Sequence, residues 1–150
     1  MFHSSKKAIS IVEILLSLTI LIIGLVGLLQ TFVYCSYLND LAFSMTSSLV
    51  AAQDKLEEIR DSNYSTLTTD YASGGTPGNT FTIPNVNGKG AISIDASNAN
   101  LLSIRIVVCF KTKNGRLIGD DANLDGSVDA GDGNGQIDSP IVLISLLAKR

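Results

Sequence analysis

At 150 residues and a net charge of −3, the chain has room for one modest domain beside an anchor, and it lacks the basic stripe with interleaved aromatics that nucleic-acid binding needs. Its apolar residues crowd into the first forty positions, while its acids gather between residues 120 and 138. The single histidine, His3, precedes the apolar run, and neither Cys35 nor Cys109 has a histidine partner beyond it, so histidine-activated catalysis is excluded and no enzyme is expected.

Residues 6–33 read Lys-Lys-Ala-Ile-Ser-Ile-Val-Glu, followed by an apolar run with no further charge. Such a run suits a bilayer crossing. Glu13 is the one charge inside it, and an ionised acid in hydrocarbon costs at least about 2.5 kcal/mol, which makes it a functional-site candidate. Lys6 and Lys7 hold the preceding segment on the cytoplasmic side, placing the rest outside the cytoplasm. A secretory signal would have a shorter core, a small-x-small site and no Glu. A lipoprotein signal would need a small residue before Cys35, where Tyr34 stands. A plain anchor explains the lysines and the hydrophobicity but not Glu13.

Small residue, apolar residue, then an acid at the fifth position: this segment resembles the N-terminus of type IV prepilins and type II secretion pseudopilins. The resemblance implies a cut between Ala8 and Ile9 by a prepilin peptidase, methylation of the new N-terminus at Ile9, and an assembly role for Glu13. Ala8 stands where the family usually has Gly, and Ile9 where it usually has Phe. It further implies a pilin fold of the α+β class, with a long N-terminal helix, membrane-spanning in its first half, packed against a small antiparallel sheet. Other pilins or pseudopilins in a helical filament would be the partners, after storage in the inner (cytoplasmic) membrane.

From Tyr34 to Arg60 the pattern turns amphipathic, with Leu38, Leu41, Met45, Leu49, Ala52, Leu56 and Ile59 at steps of three and four. Asp54, Lys55, Glu57, Glu58 and Arg60 form a solvated face. No proline interrupts residues 9–60, so one helix of about fifty residues, about 75 Å long, is expected. Gly24 and Gly27 are its weak points, read either as close helix packing in lipid or as a place to melt on assembly. The block 51–60 is similar to the end of the long helix in minor pilin V and pseudopilin I proteins.

Residues 61–79, rich in Ser, Thr, Asn, Gly and Pro, predict a loop. Strands are expected at Thr80–Val86 and Ala91–Ile94 with Asn87-Gly88 as the turn between them, then at Leu101–Phe110 with Ile104, Ile106 and Val108 on one face. Lys113-Asn114-Gly115-Arg116 signals a tight hairpin into a return strand at Arg116–Gly119, and Ile141–Leu147 supplies the last strand. Cys35 and Cys109 are expected to remain free thiols, since nothing in the sequence brings them together.

Within the acidic stretch 119–138, oxygen-bearing side chains fall at Asp121, Asn123, Asp125, Ser127, Asp129 and Asp132, with Gly126 at the sixth loop position. That spacing is similar to an EF-hand calcium loop, in which alternate residues turn inward and glycine allows the sharp bend. Asp132, in place of Glu at the twelfth position, resembles dockerin-type loops. Asn134, Gln136 and Asp138 offer further donors or a partial second site. Pro140 leads into a strand, so no second helix follows. The bland alternative is a solvated acidic turn, but its crowded carboxylates would repel one another without a cation. A structural Ca2+ is therefore expected.

The resulting division is a leader at 1–8, a membrane or filament-core helix at 9–33, its amphipathic continuation at 34–60, and a β head at 61–150. The reading is a minor pilin or pseudopilin. The alternatives are a major pilin, a DNA-uptake pilin disfavoured by the acidic balance, and a membrane-anchored calcium-binding adhesion or scaffold module.

Overall fold

The computed structural model describes residues 10–98, 100–129 and 135–149. The chain divides into two compact units at the Asn39/Asp40 boundary. Helix α1 runs from Ile11 to Asp61, 51 residues, and starts on the Ser10 carbonyl, which accepts the amides of Glu13 at 3.0 Å and Ile14 at 3.3 Å. In the N-terminal unit its apolar side chains point outward, Leu16 61% exposed and Ile23 67%. Two hydroxyls there are satisfied locally: Thr19 Oγ1 donates to the Leu15 carbonyl at 2.7 Å and Thr31 Oγ1 to that of Gly27 at 2.9 Å. This internal bonding lets a polar residue sit in an apolar run without needing water.

In the second unit α1 continues to Asp61, and a short helix α2 follows at Leu67–Asp70. The strands are β1 (Thr80–Thr82), β2 (Asn87–Asn98), β3 (Leu101–Lys111), β4 (Leu117–Ile118) and β5 (Ile141–Ala148). All pairings are antiparallel, with β1 beside β2, β2 beside β3, and β3 paired on its other side with both β4 and β5. Alternation along β3 sends Ile104, Ile106, Val108 and Phe110 to one face, where they form a core with Ala52 and Ile59 of α1, Leu67 of α2 and Tyr71. This is an α+β layout, a long apolar-to-amphipathic helix and a small antiparallel sheet.

Three sequence expectations are corrected. The buried stripe of α1 runs through Leu41, Met45, Ser48, Ala52, Leu56 and Ile59, whereas Leu38 and Leu49 are exposed, at 42% and 40%. Ser48 takes the core position because it is four residues before Ala52, one helical turn along the same face. The 61–79 loop contains α2, which exists to bury Leu67 completely. Asn87-Gly88 lies inside β2, paired with Lys111 and Phe110, and the turn from β1 falls at Ile83–Val86, with Asn85 at a φ of 61°. Seven consecutive pairings with β3 beyond Gly88, from Lys89 to Asp95, outweigh one local turn preference. Gly90 belongs to the same strand for a packing reason: a Cβ there would enter the ring of Phe81, its register partner.

β1 therefore ends at Thr82, short of the expected Val86, and β4 spans two residues where four were expected. The hairpin at 112–116 is as expected, closed by Gly115 N–H to the Thr112 carbonyl at 2.8 Å with Gly115 at a φ of 77°.

Candidate functional site

Two places carry chemistry, one in each unit. In the first, Glu13 lies in the opening turn of α1 among exposed apolar neighbours, with Val12 72% and Ile14 56% exposed. α1 is long and apolar enough to cross a membrane, with a mean hydropathy of 2.7 over its most apolar window and none of that window buried. Ala8 and Ile9 lie outside the described residues.

The second place is the acidic loop, which folds onto the face of β3 opposite the helix. Val107 and Cys109 of β3 pack there with Ile137, the loop's buried apolar anchor, and with Leu124 and Val142. Asp120 and Asp138 tie the two ends of the loop together, each amide donating to the other residue, at 3.0 Å to the Asp138 carbonyl and 2.7 Å to Asp120 Oδ1. Arg105 Nη2 reaches across from β3 to the Ile137 carbonyl at 3.0 Å and to Asp138 Oδ1 at 3.4 Å.

Inside this clasp the oxygen side chains organise the backbone. Asp121, 1% exposed, accepts the amides of Asp125 at 3.2 Å and Gly126 at 2.8 Å. Asn123 Oδ1 accepts the Asp125 amide at 3.0 Å, and Asp125 Oδ1 accepts the Ser127 amide at 2.7 Å and its hydroxyl at 2.5 Å. Asp129 Oδ2 closes the turn on the Ala122 amide at 2.6 Å. Gly126 has a φ of 82°, and a Cβ there would press on Thr80 of β1, so both conformation and space demand glycine. The Ser127 hydroxyl and amide hold the Asp125 carboxyl below its ordinary range.

The structure thus brings Asp121, Asn123, Asp125, Ser127 and Asp129 into one turn. Asp132 and Asn134 lie outside the described residues, while Gln136 is exposed and Asp138 serves the clasp. Among the described residues no three Asp, Glu, Cys or His side chains converge on a point that could hold an ion. The donor set nevertheless suits a hard cation. It consists of oxygens alone, and the Asp121 carboxylate is buried with backbone amides as its partners among the described residues and no cationic side chain.

Sequence reasoning missed Asp120, Arg105 and Ile137. Arg105 was detectable, being the only charge between Leu101 and Phe110 and out of phase with Ile104 and Ile106. Ile137 was detectable as a lone large apolar residue in a polar stretch. Both cysteines are free, Cys35 exposed and Cys109 buried beneath the loop, where burial pushes its thiol up against the opposing pull of the Asp121 and Asp120 amides. No family model, curated protein or solved structure matches this chain.

Proposed function

We propose that this chain is a minor pilin or pseudopilin subunit, cut between Ala8 and Ile9 by a prepilin peptidase and assembled through its N-terminal helix into a filament of the type IV pilus kind. The observation that carries the reading is a single helix that exposes nearly every apolar side chain of residues 11–33, with one acid, Glu13, in its opening turn. Such a surface needs lipid or other helices around it. A bilayer accommodates the leucines but penalises the acid. A bundle of like helices accommodates both, because the free amine of Ile9 on a neighbouring subunit can pair with Glu13.

Removing one partner of a buried pair costs about 3–5 kcal/mol, so this contact acts as a register check on assembly. The head would lie outside the cytoplasm, with the inner membrane as the store before assembly and the peptidase and methylase acting on the leader.

Asp121, Asn123, Asp125, Ser127 and Asp129, with Asp132 completing the spacing, are the residues that would hold a calcium ion. When bound, calcium would supply neutralising charge for these carboxylates. The chain's own contribution is the Asp120–Asp138 clasp and the Ile137 anchor, which hold the loop against β3 and so support the approach to β5.

The test is Glu13→Val in cells. The variant should insert and be processed as the parent is, but should be missing from sheared filaments and from cross-links to partner subunits. Normal incorporation would remove the proposal.

A further inference from the structure

Residues 119–138 carry no Lys or Arg of their own, so any counter-charge for the acidic loop comes from the sheet beneath it. Strand register decides which cations lie on that face. Lys89 of β2 stands opposite Cys109 of β3 and opposite Thr82 of β1, and paired residues share a face. Lys89 therefore lies on the side of the sheet where the loop packs over Cys109. Arg105, on the same side, is committed to the loop's end through the Ile137 carbonyl and Asp138. Lys89 is in no ion pair among the described residues.

Packing joins this lysine to the loop. A Cβ on Gly126 would stand 3.7 Å from Lys89 Cγ, an ordinary van der Waals separation, so the lysine stem runs alongside the loop's sixth position. Beyond Cγ, two methylenes carry the ammonium, and a lysine readily lays its stem on a surface while keeping its head in water. Asp125 immediately precedes Gly126. Its carboxyl is held low chiefly by the Ser127 hydroxyl and amide, and the charge of Lys89 adds to that pull. On its other side Lys89 borders a cleft shared with Asp54 and Glu58 of α1. Glu58 is already engaged, by Lys55 at 2.6 Å and Tyr71 at 3.2 Å, which leaves Asp54 as the rival acid there.

We infer that Lys89 is the loop's built-in counter-cation: its ammonium steadies the metal-free loop from beside Asp125 and competes with calcium for it, so that Lys89 sets how tightly the ion is held. The inference rests on the calcium reading of the loop. It adds a residue outside the Asp121–Asp132 spacing, on a strand that the loop pattern does not include. A single charge facing a dication through water, within a Debye length, changes its dissociation constant about threefold at low ionic strength and less as salt screens it.

The test uses the full chain in nanodiscs of phosphatidylcholine, a lipid without net charge, titrated with calcium chloride in a calorimeter at about 10 mM and about 150 mM ionic strength. Lys89→Met keeps the stem and removes the charge. Its Kd should be about threefold below the parent's at low salt and closer to the parent's at high salt. Lys89→Glu should lower Kd further, by about tenfold, and Lys89→Arg, which keeps the charge, should bind as the parent does. In chelator the sign reverses: the amides of Asp125, Gly126 and Ser127 should exchange faster in Lys89→Met than in the parent, while those of β3 are unchanged. A lysine serving Asp54 instead would alter neither quantity.

The Met and Arg variants decide the matter even if Lys89→Glu misfolds. Equal affinity in the parent and Lys89→Met overturns the inference and leaves the calcium reading standing. So does a Lys89→Arg affinity that departs from the parent as far as that of Lys89→Met, or loop exchange in chelator that Lys89→Met leaves unchanged. No heat of calcium binding in the parent or any variant removes the calcium reading, and the inference with it.

Discussion

Helix α1 has two halves with different apolar patterns and opposite fates. Within residues 11–33 the large apolar side chains are exposed, Leu16 at 61% and Ile20 at 64%, whereas Ala52 and Ile59 further along are completely buried against the sheet. The second half finds its apolar cover within its own chain; the first half must find it elsewhere. A helix that is apolar all round belongs in lipid or inside a larger bundle, and one with a single apolar stripe belongs on a sheet. The change of pattern near Tyr34 is therefore the point where the chain passes from depending on its surroundings to depending on itself.

Truncating a side chain in each half breaks or sharpens that contrast most strongly. Ile59→Ala, in the core with Ile104 and Ile106, should lower the unfolding free energy of the head by about 2–5 kcal/mol. Leu16→Ala should leave the same melting transition within about 0.5 kcal/mol. Both are read by thermal melts of the detergent-solubilised chain, and an equal loss from the two substitutions would contradict the division.

The next largest expected effect is that of added calcium, and it concerns the other face of β3. At a hundredfold excess over Kd, a ligand specific to the folded state adds about 2.7 kcal/mol. The melting temperature should rise accordingly, Asp125→Ala should remove most of the rise, and Asp70→Ala, in α2 and outside the loop, should not. Magnesium should substitute poorly, because it holds its waters and wants a tight octahedron. No heat of binding in calorimetry, together with a melting curve unmoved by chelator, would reduce the loop to a solvated turn.

The pH dependence without calcium follows from Asp125, whose carboxyl is held below its ordinary range by Ser127. A lowered folded-state value means that its contribution is complete above the unfolded carboxylate value, about 3.9, and is lost as pH falls through the lowered one. Melts in chelator should therefore show the difference between parent and Asp125→Asn holding from neutral pH to about pH 4 and shrinking below it.

The smallest effect has the opposite sign. Ser48 is fully buried and its Oγ has no hydrogen-bond partner among the described residues. Ser48→Ala removes an unsatisfied group at the cost of one oxygen's packing, and should stabilise the head by about 1 kcal/mol. A loss of stability on that change would mean the hydroxyl has a partner in solution.

Ser48 also shows where the sequence misleads. The apolar run and the absence of proline over residues 9–60 located α1 and its length, and the three-and-four spacing marked the packed face of its second half. The phase held at Leu41, Met45, Ala52, Leu56 and Ile59 and failed at Leu49, the more apolar neighbour of Ser48, because the helix turns Ser48 inward. β3 was legible from its β-branched alternation.

The turn at Asn87-Gly88 was misplaced because a dipeptide preference cannot see the cross-strand partners Lys111 and Phe110. In the acidic loop the spacing of Asp121, Asn123, Asp125, Ser127 and Asp129 was legible. Its attachment was not, because Ile137 packs on Val107 and Cys109, and Arg105 reaches the Ile137 carbonyl, between segments far apart in sequence, which no local pattern encodes.

The central claim, that the exposed half of α1 is a processed assembly helix, is tested most directly at its N-terminus. Mass spectrometry of the chain purified from membranes should find a mature protein beginning at a methylated Ile9, and Ala8→Leu should accumulate as the uncut form while Ala8→Gly is cut at least as well. A chain that retains Met1 through Ala8 in all three would contradict the account.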